Sequence, residues 1–211
     1  MTIKAEVPIL AKMALLCNQH ALPLSFQVLT DAGDAISVMR LLRVLPGKRI
    51  VGEAQWHGRR VLVKLFVARH SSRRWERERQ GLKALRAAAL PTPGIVAAGK
   101  LDGGGHFLLT EFLENSRTLA ELLSGVEALP PGSPQELEML QPAFALLGRL
   151  HAAGLIQSDL HLGNFLMYQD ELFVIDGDGV ASAGKGQAVP AQQALENLAL
   201  LIAQLPPAWE I

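Results

Sequence analysis

Three runs rich in Val, Ile and Leu follow one another in the first third of the chain, and short turns separate them. The first turn is Pro46-Gly47-Lys48 and the second is His57-Gly58, and both combinations favour a tight reversal of the chain. Apolar, β-branched runs of this length are typical of strands. The pattern therefore predicts an antiparallel meander with strands at 36–44, 49–56 and 60–67.

A helix and a hairpin are predicted next. Ser71 or Ser72 can cap the start of the helix, and apolar residues recur along it at helical spacing, namely Trp75, Leu82 and Leu85. Beyond the helix, Asp102-Gly103-Gly104-Gly105 lies between two apolar runs and is a strong hairpin signal. Strands at 95–101 and 106–112 would complete a five-stranded antiparallel sheet.

The chain becomes helical in character after residue 114. Thr118 and Glu121 have the spacing of a capping box. A long helix is predicted to begin at 134, and Gly154 is placed to end it. A short hairpin with strands at 165–168 and 172–175 should follow, and then a last helix at 191–205.

These patterns divide the chain into three predicted regions. Residues 1–35 would be an N-terminal helical extension, with its helix at 5–20. Residues 36–113 would form a sheet-rich lobe, and residues 114–211 a small and mostly helical lobe. A chain of 211 residues is long enough for two such lobes.

Composition narrows the function classes. Lys and Arg total 20 and Asp and Glu total 20, so the formal net charge is +0, and no bulk positive charge is present to bind nucleic acid. Cys17 is the single cysteine, which excludes an internal disulfide and a multi-cysteine metal site. Neither a secretory signal nor an apolar run of about 18 residues is found. We expect a cytoplasmic protein, and weak association with a membrane surface stays open.

Polar side chains are threaded through an apolar stretch at 155–180, LIQSDLHLGNFLMYQDELFVIDGDGV. Burying an unpaired carboxylate is costly, so Asp159, Asn164 and Asp176 are expected to be paired, to hold a metal or to line a site. Asp178 is interpreted as a turn residue, and His161 as a structural or substrate-lining residue.

The order of these motifs resembles the protein-kinase-like superfamily. Within it, the chain is similar to the small bacterial sugar kinases of the lipopolysaccharide core, the Kdo/heptose kinase group, over roughly residues 36–205. The resemblance implies an α+β, two-lobed fold. Its N-lobe would contain the five-stranded antiparallel sheet, and its C-lobe would be short and mostly helical.

The resemblance also implies roles for residues of the first lobe. Lys64 matches the strand lysine that holds the α- and β-phosphates of ATP. Glu78 best matches the glutamate that pairs with this lysine, and Glu76 is a rival for that role. The glycine-rich loop is reduced to one glycine, Gly47, so backbone N–H groups near it and the side chain of Lys48 or Arg49 are candidates for covering the phosphates.

In the second lobe, Asp159 matches the catalytic aspartate. Asn164, five positions later, matches the metal-binding asparagine, and Asp176 matches the aspartate that holds Mg²⁺. The implied reaction is ATP- and Mg²⁺-dependent transfer of a phosphoryl group to a hydroxyl. Each residue taken alone has an ordinary structural explanation, but their order on the expected elements favours function.

Departures from the family pattern keep other functions open. Gln157 stands where related kinases have a histidine, and Gly177-Asp178 replaces Phe-Gly after Asp176. The loop at 159–164 resembles that of small-molecule kinases, which favours a sugar hydroxyl of the lipopolysaccharide inner core as acceptor. The implied partner is thus a glycolipid at the inner membrane, and no oligomeric state is implied. The alternatives are an atypical, RIO-like Ser/Thr protein kinase and a non-catalytic pseudokinase scaffold.

Overall fold

The computed structural model of the chain describes residues 22–123, 133–183 and 186–205, without the side chains of residues 136 and 137. The helix predicted at 5–20 lies outside the described residues. The chain divides into two compact units, Met1–Arg79 with Gly94–Phe112 and Gln80–Pro93 with Leu113–Ile211. The three regions expected from the sequence remain a prediction.

The first unit is built on an antiparallel sheet. Its strands along the chain are β1 (Phe26–Leu29), β2 (Ala35–Leu45), β3 (Arg49–Trp56), β4 (Arg59–Phe66), β5 (Ile95–Lys100) and β6 (His106–Glu111). Their order across the sheet is β1-β2-β3-β4-β6-β5.

The predicted turns between these strands are confirmed. His57 and Gly58 have φ values of 46° and 76°, as a two-residue hairpin turn between twisted strands requires. Gly103, Gly104 and Gly105 all have positive φ and connect β5 to β6, where glycine accepts this conformation without a steric penalty.

The sheet has six strands rather than the five expected from the sequence. The additional strand is β1, which pairs with β2 so that Phe26 lies opposite Val38. Its four residues alternate between buried Phe26 and Val28 and half-buried neighbours. A run this short, preceded by Pro23 and Ser25, produces too little periodicity to separate it from a loop.

One face of the sheet carries the core of the first unit. Val61, Val63 and Leu65 alternate along β4 and are fully buried on this face, since successive side chains of a strand point to opposite faces. They pack in one hydrophobic cluster with residues of the neighbouring strands, among them Phe26, Ile36, Val38, Ile50, Ala54 and Leu109. Lys64 therefore points to the opposite face, and it contacts helix α1 (Ser72–Ala87) there.

The second unit combines helices with two small sheets. Its helices besides the end of α1 are α2 (Leu119–Leu123), α3 (Pro134–Ala152) and α4 (Ala191–Ile202). Its strands are β7 (Arg117–Thr118), β8 (Leu155–Gln157), β9 (Phe165–Tyr168), β10 (Glu171–Val174) and β11 (Val180–Ser182). They pair in the orders β10-β9-β7 and β11-β8.

Local signals in the second unit match the predicted helix ends. The backbone N–H of Glu121 donates to Thr118 Oγ1 at 3.1 Å, and the N–H of Thr118 donates to Glu121 Oε2 at 2.7 Å, which confirms the capping box. Gly154 follows α3 with a φ of 74°, and its N–H donates to the carbonyl oxygen of His151. Among the described residues, no helix is long and apolar enough to cross a membrane.

Replacing Phe26 by alanine should test the contribution of the sixth strand. Its ring is fully buried, and removing a buried aromatic side chain costs about 3–5 kcal/mol of unfolding free energy. Urea unfolding measures this loss. Leu24→Ala is the matched control, because Leu24 is 89% exposed and should change stability by less than about 0.5 kcal/mol. Equal effects of the two substitutions would argue against β1 as part of the core.

Candidate active site

A fully buried carboxylate forms ion pairs with two basic residues of the first unit. Glu78 of α1 is 0% exposed, and its Oε1 forms an ion pair with Lys64 Nζ from the middle of β4. Its other oxygen, Oε2, accepts a hydrogen bond from Arg49 Nη1 at 3.4 Å. The Lys64 and Arg49 side chains are themselves only 8% and 11% exposed. One carboxylate therefore faces two cations in a largely desolvated position.

Glu76, the rival of Glu78, has a different partner. Its two carboxylate oxygens accept hydrogen bonds from Arg79 at 2.7 and 3.0 Å within α1. This carboxylate holds the pKa of Arg79 above its ordinary value, chiefly through these hydrogen bonds. The structure thus pairs Lys64 with Glu78, and Glu76 with the arginine one turn further along.

The turn that contains Gly47 and Lys48 connects β2 to β3 directly before Arg49. The N–H of Lys48 donates to the carbonyl oxygen of Leu45 at 2.9 Å, and Gly47 has a φ of 65°. Lys48 is exposed. Phosphate binding by Gly47 and Lys48 remains a prediction.

The loop after β8 brings two of the predicted residues together in the second unit. Asn164 Nδ2 donates to the carbonyl oxygen of Asp159 at 2.9 Å. A single 3₁₀ turn at Leu162–Asn164 forms the end of this loop, and His161 Nδ1 accepts the N–H of Gly163 at 2.9 Å. His161 therefore has a structural contact here, as expected from the sequence. The Asp159 carboxylate belongs to an exposed residue.

Gln157 connects this loop to the segment that contains Asp176. Its Nε2 donates to the carbonyl oxygen of Asp176 at 2.7 Å, and its Oε1 accepts the N–H of Asp159 at 3.3 Å. The side chain is 1% exposed. One buried side-chain amide thus binds the backbone at both candidate aspartates, donating through its nitrogen to one and accepting through its oxygen from the other.

The segment Asp176-Gly177-Asp178 is a compact turn. The N–H of Asp178 donates to Asp176 Oδ1 at 3.1 Å, which agrees with the turn role expected for Asp178. Gly177 lies against α1 so closely that a Cβ atom on Gly81 would overlap the Gly177 carbonyl group. This contact fixes the turn against the helix and explains why α1 has a glycine at 81.

Asp176 and Asn164 offer chemically suitable ligands for Mg²⁺. Because Asn164 uses its amide nitrogen to bind the Asp159 carbonyl, its Oδ1 is left to accept another group or a cation. The described residues contain no group of three or more His, Cys, Asp or Glu side chains that could hold a metal ion. Mg²⁺ commonly takes only one or two protein ligands and completes its shell with water and substrate phosphates, so this donor set fits the ion.

Two contacts at the site were not foreseen from the sequence. The first is the bond from Arg49 to Glu78, whose only signal was the position of Arg49 directly after the glycine turn. The second lies behind Gln157, where Asn197 Nδ2 of α4 donates to the Gln157 carbonyl oxygen at 2.7 Å and Asn197 Oδ1 lies 3.0 Å from His151 Nε2. Its only signal in the sequence was an asparagine within the apolar run of the last helix, and the structure buries that asparagine.

Comparison with known proteins gives the following likenesses. The model of the lipopolysaccharide kinase (Kdo/WaaP) family matches residues 53–205. Among solved structures, WaaP in complex with acyl carrier protein has a TM-score of 0.58 and 24% identity, over 78% of this chain and 69% of that one. No curated protein sequence matches the chain.

Two protein kinases also resemble the chain. The Mycobacterium tuberculosis PknI kinase domain has a TM-score of 0.50 and 18% identity, over 82% of this chain and 74% of that one. Vaccinia related kinase 3 has a TM-score of 0.53 and 15% identity, over 85% and 58%. At these identities the likeness concerns the fold alone, and it confirms the α+β, kinase-like fold expected from the sequence.

Gly81→Ala should destabilise the second unit, although alanine is the better helix former. The new Cβ would overlap backbone atoms of Gly177, and overpacking of this kind costs about 1–3 kcal/mol. Gly148→Ala in α3 is the matched control, because a Cβ there meets no atom within 4 Å and should stabilise by about 0.5–1 kcal/mol. Urea unfolding of both variants measures the difference, and a shared sign would contradict the packing role of Gly81.

Proposed function

Because the chain belongs to the lipopolysaccharide kinase (Kdo/WaaP) family and is therefore a kinase, we propose that it transfers the γ-phosphoryl group of ATP to a sugar hydroxyl of the lipopolysaccharide inner core, with Mg²⁺. The observation that carries the nucleotide part is the buried ion pair between Lys64 and Glu78. A lysine held at a fixed place by a desolvated carboxylate is a cation suited to bind phosphate.

In this proposal, Lys64 binds the α- and β-phosphates, and Glu78 keeps its ammonium group oriented. Gly47 and Lys48 belong to the turn that covers the phosphates. Asp176 and Asn164 supply oxygen ligands for Mg²⁺. The metal, when bound, neutralises charge on the phosphate oxygens.

Asp159 acts on the acceptor. Its carboxylate orients the acceptor hydroxyl and accepts its proton as the hydroxyl oxygen bonds to the γ-phosphorus. The bond between that phosphorus and the oxygen bridging to the β-phosphate breaks, and ADP leaves. The exposed position of Asp159 supports this role, because an acceptor must reach the carboxylate directly.

The acceptor class follows from the family. The lipopolysaccharide core carries heptose and Kdo sugars on a glycolipid, so we propose that the enzyme works at the cytoplasmic face of the inner membrane through peripheral association. No nucleic-acid partner is proposed, since the formal net charge is +0. The pseudokinase alternative carries less support, because Gln157 makes the bonds that hold both aspartate segments.

Asp176→Asn should remove the metal-dependent part of nucleotide binding. Asparagine keeps the acceptor for the Asp178 N–H but carries no charge, so the fold should be retained while Mg²⁺ affinity falls. Thermal unfolding with ATP, with and without Mg²⁺, measures this, because a ligand that binds only the folded state raises the midpoint. Asp170→Asn, in the exposed β9–β10 turn, is the control. Identical midpoint shifts in wild type and Asp176→Asn would overturn the metal role.

Asp159→Asn should lower kcat by about 10²- to 10⁴-fold, the usual contribution of a positioned general base. Mg·ATP binding should be unchanged, since Asp159 acts on the acceptor. The assay follows labelled phosphate from ATP into dephosphorylated core oligosaccharide. If the label enters the protein itself or an added protein instead, the RIO-like alternative replaces the sugar acceptor.

A further inference from the structure

The last helix, α4, buries two side chains, and one of them is polar. Asn197 is 5% exposed and shares the buried side of α4 with Leu201, one turn further along. A buried amide costs free energy unless its donor and its acceptor are both bonded. A leucine at this position would fill a similar volume without that cost. The asparagine is therefore explained by the bonds that it makes and not by packing.

The side-chain amide of Asn197 has one consistent orientation. Its Nδ2 donates to the carbonyl oxygen of Gln157 at 2.7 Å, and its Oδ1 lies 3.0 Å from Nε2 of His151 in α3. A carbonyl oxygen can only accept, so the amide nitrogen must face Gln157 and the amide oxygen must face His151. His151 then carries a proton on Nε2 and donates it to Asn197, whether its ring is neutral or charged. Asn197 is thus oriented by α3 and presents a donor to Gln157.

The backbone carbonyl of Gln157 takes a donor from Asn197 that the neighbouring strand does not supply. In the register of β8 and β11, Gln157 lies opposite Val180, but the N–H of Val180 donates to the carbonyl oxygen of Gly177 at 3.0 Å. Gln157 is only 1% exposed, so water has little access to it. Buried backbone groups are nearly always paired, and the bond from Asn197 fulfils this requirement.

Gln157 transmits the position of its backbone to both candidate aspartates. Its Nε2 donates to the carbonyl oxygen of Asp176 at 2.7 Å, and its Oε1 accepts the N–H of Asp159 at 3.3 Å. The side chain is confined, since its Oε1 occupies the space that a Cβ on residue 179 would need. A displacement of the Gln157 backbone would therefore move the two aspartate segments or break one of these bonds.

We propose that Asn197 is a positioning residue for phosphoryl transfer, which acts through Gln157 on the segments that carry Asp159 and Asp176. This inference rests on the proposed function, because it uses the roles assigned there to both aspartates. Rates of group transfer depend steeply on geometry, and a misplacement of about 1 Å can cost about 10²-fold. The side chain of Asn197 bonds to Gln157 and His151, so its effect on the reaction is indirect.

The test is Asn197→Asp, assayed by the transfer of labelled phosphate from ATP into dephosphorylated core oligosaccharide. An ionised aspartate has nearly the same shape and still accepts from His151, but it has no donor for the Gln157 carbonyl. We expect kcat to fall by about tenfold or more, as for a misplacement of a fraction of an ångström. KM for the sugar should change much less, because the reacting groups are displaced while the acceptor surface is kept. Asn197→Leu, which also lacks the donor, is measured if Asn197→Asp does not fold.

Leu201→Ala is the matched control, because Leu201 lies on the same buried side of α4 and is 1% exposed. Removing its side chain leaves a cavity and should lower the thermal midpoint. The kcat should equal that of wild type at temperatures well below this midpoint, since an apolar side chain makes no hydrogen bond to the loop. The pair of variants thus separates a loss of stability in α4 from a loss of the bond to Gln157.

A double-mutant cycle tests whether Asn197 acts through Gln157. In a Gln157→Ala background, Asn197→Asp should lower kcat much less than it does in wild type, because the side chain that connects Asn197 to the aspartate segments is absent. Substitutions within one network of bonds are not additive. Additive losses of kcat would mean that Asn197 affects the reaction by another route, which would contradict the proposal.

The outcomes separate the two proposals. If wild type transfers phosphate and Asn197→Asp has the same kcat, this inference is wrong, while the proposed function stands. Equal losses of kcat in Asn197→Asp and Leu201→Ala would mean that Asn197 only stabilises α4, which likewise overturns the inference. If wild type transfers no phosphate to the sugar, the proposed function fails and this inference fails with it.

Discussion

The burial of one carboxylate is the constraint on which the first unit depends. Glu78 has no exposed surface, and removing one partner from such a buried pair costs about 3–5 kcal/mol. The strand that carries Lys64 must therefore be covered on both faces. The hydrophobic cluster covers one face through Val61, Val63 and Leu65, and α1 contacts the other. A strand buried on both sides positions its lysine more firmly than an edge strand could.

The second unit positions its polar residues differently, with neutral amides and close backbone contacts. The backbone segments of Asp159 and Asp176 are joined by Gln157, and Gln157 is joined to α4 by Asn197. Because each of these amides uses both a donor and an acceptor, no buried charge is needed behind the loop that carries Asp159. Neutral groups thus maintain the backbone geometry around both aspartates.

Spacing along the chain predicted most of the fold, because periodicity and turn chemistry are local properties, whereas the site residues were assigned through the family resemblance and their roles remain predictions. Glu78, rather than Glu76, could be preferred from its distance to Leu82 along the helix. Contacts that depend on tertiary packing could not be predicted. The strand at Phe26 was missed because four residues carry little periodicity, and the bond from Arg49 to Glu78 depends on a strand register that no sequence pattern specifies.

Gln157 shows why a departure from a family pattern should be judged by the bonds that the replacement makes. Here the position must donate to the Asp176 carbonyl and accept from the Asp159 N–H at the same time. A neutral histidine can do both, but once protonated it has two donors and no acceptor, and this change falls near physiological pH. Glutamine makes both bonds at every pH. Its Oε1 occupies the space that a Cβ on residue 179 would need, so Gln157 requires Gly179, and the chain has both. Gln157 therefore satisfies both backbone groups in this loop, so this departure is compatible with an active kinase.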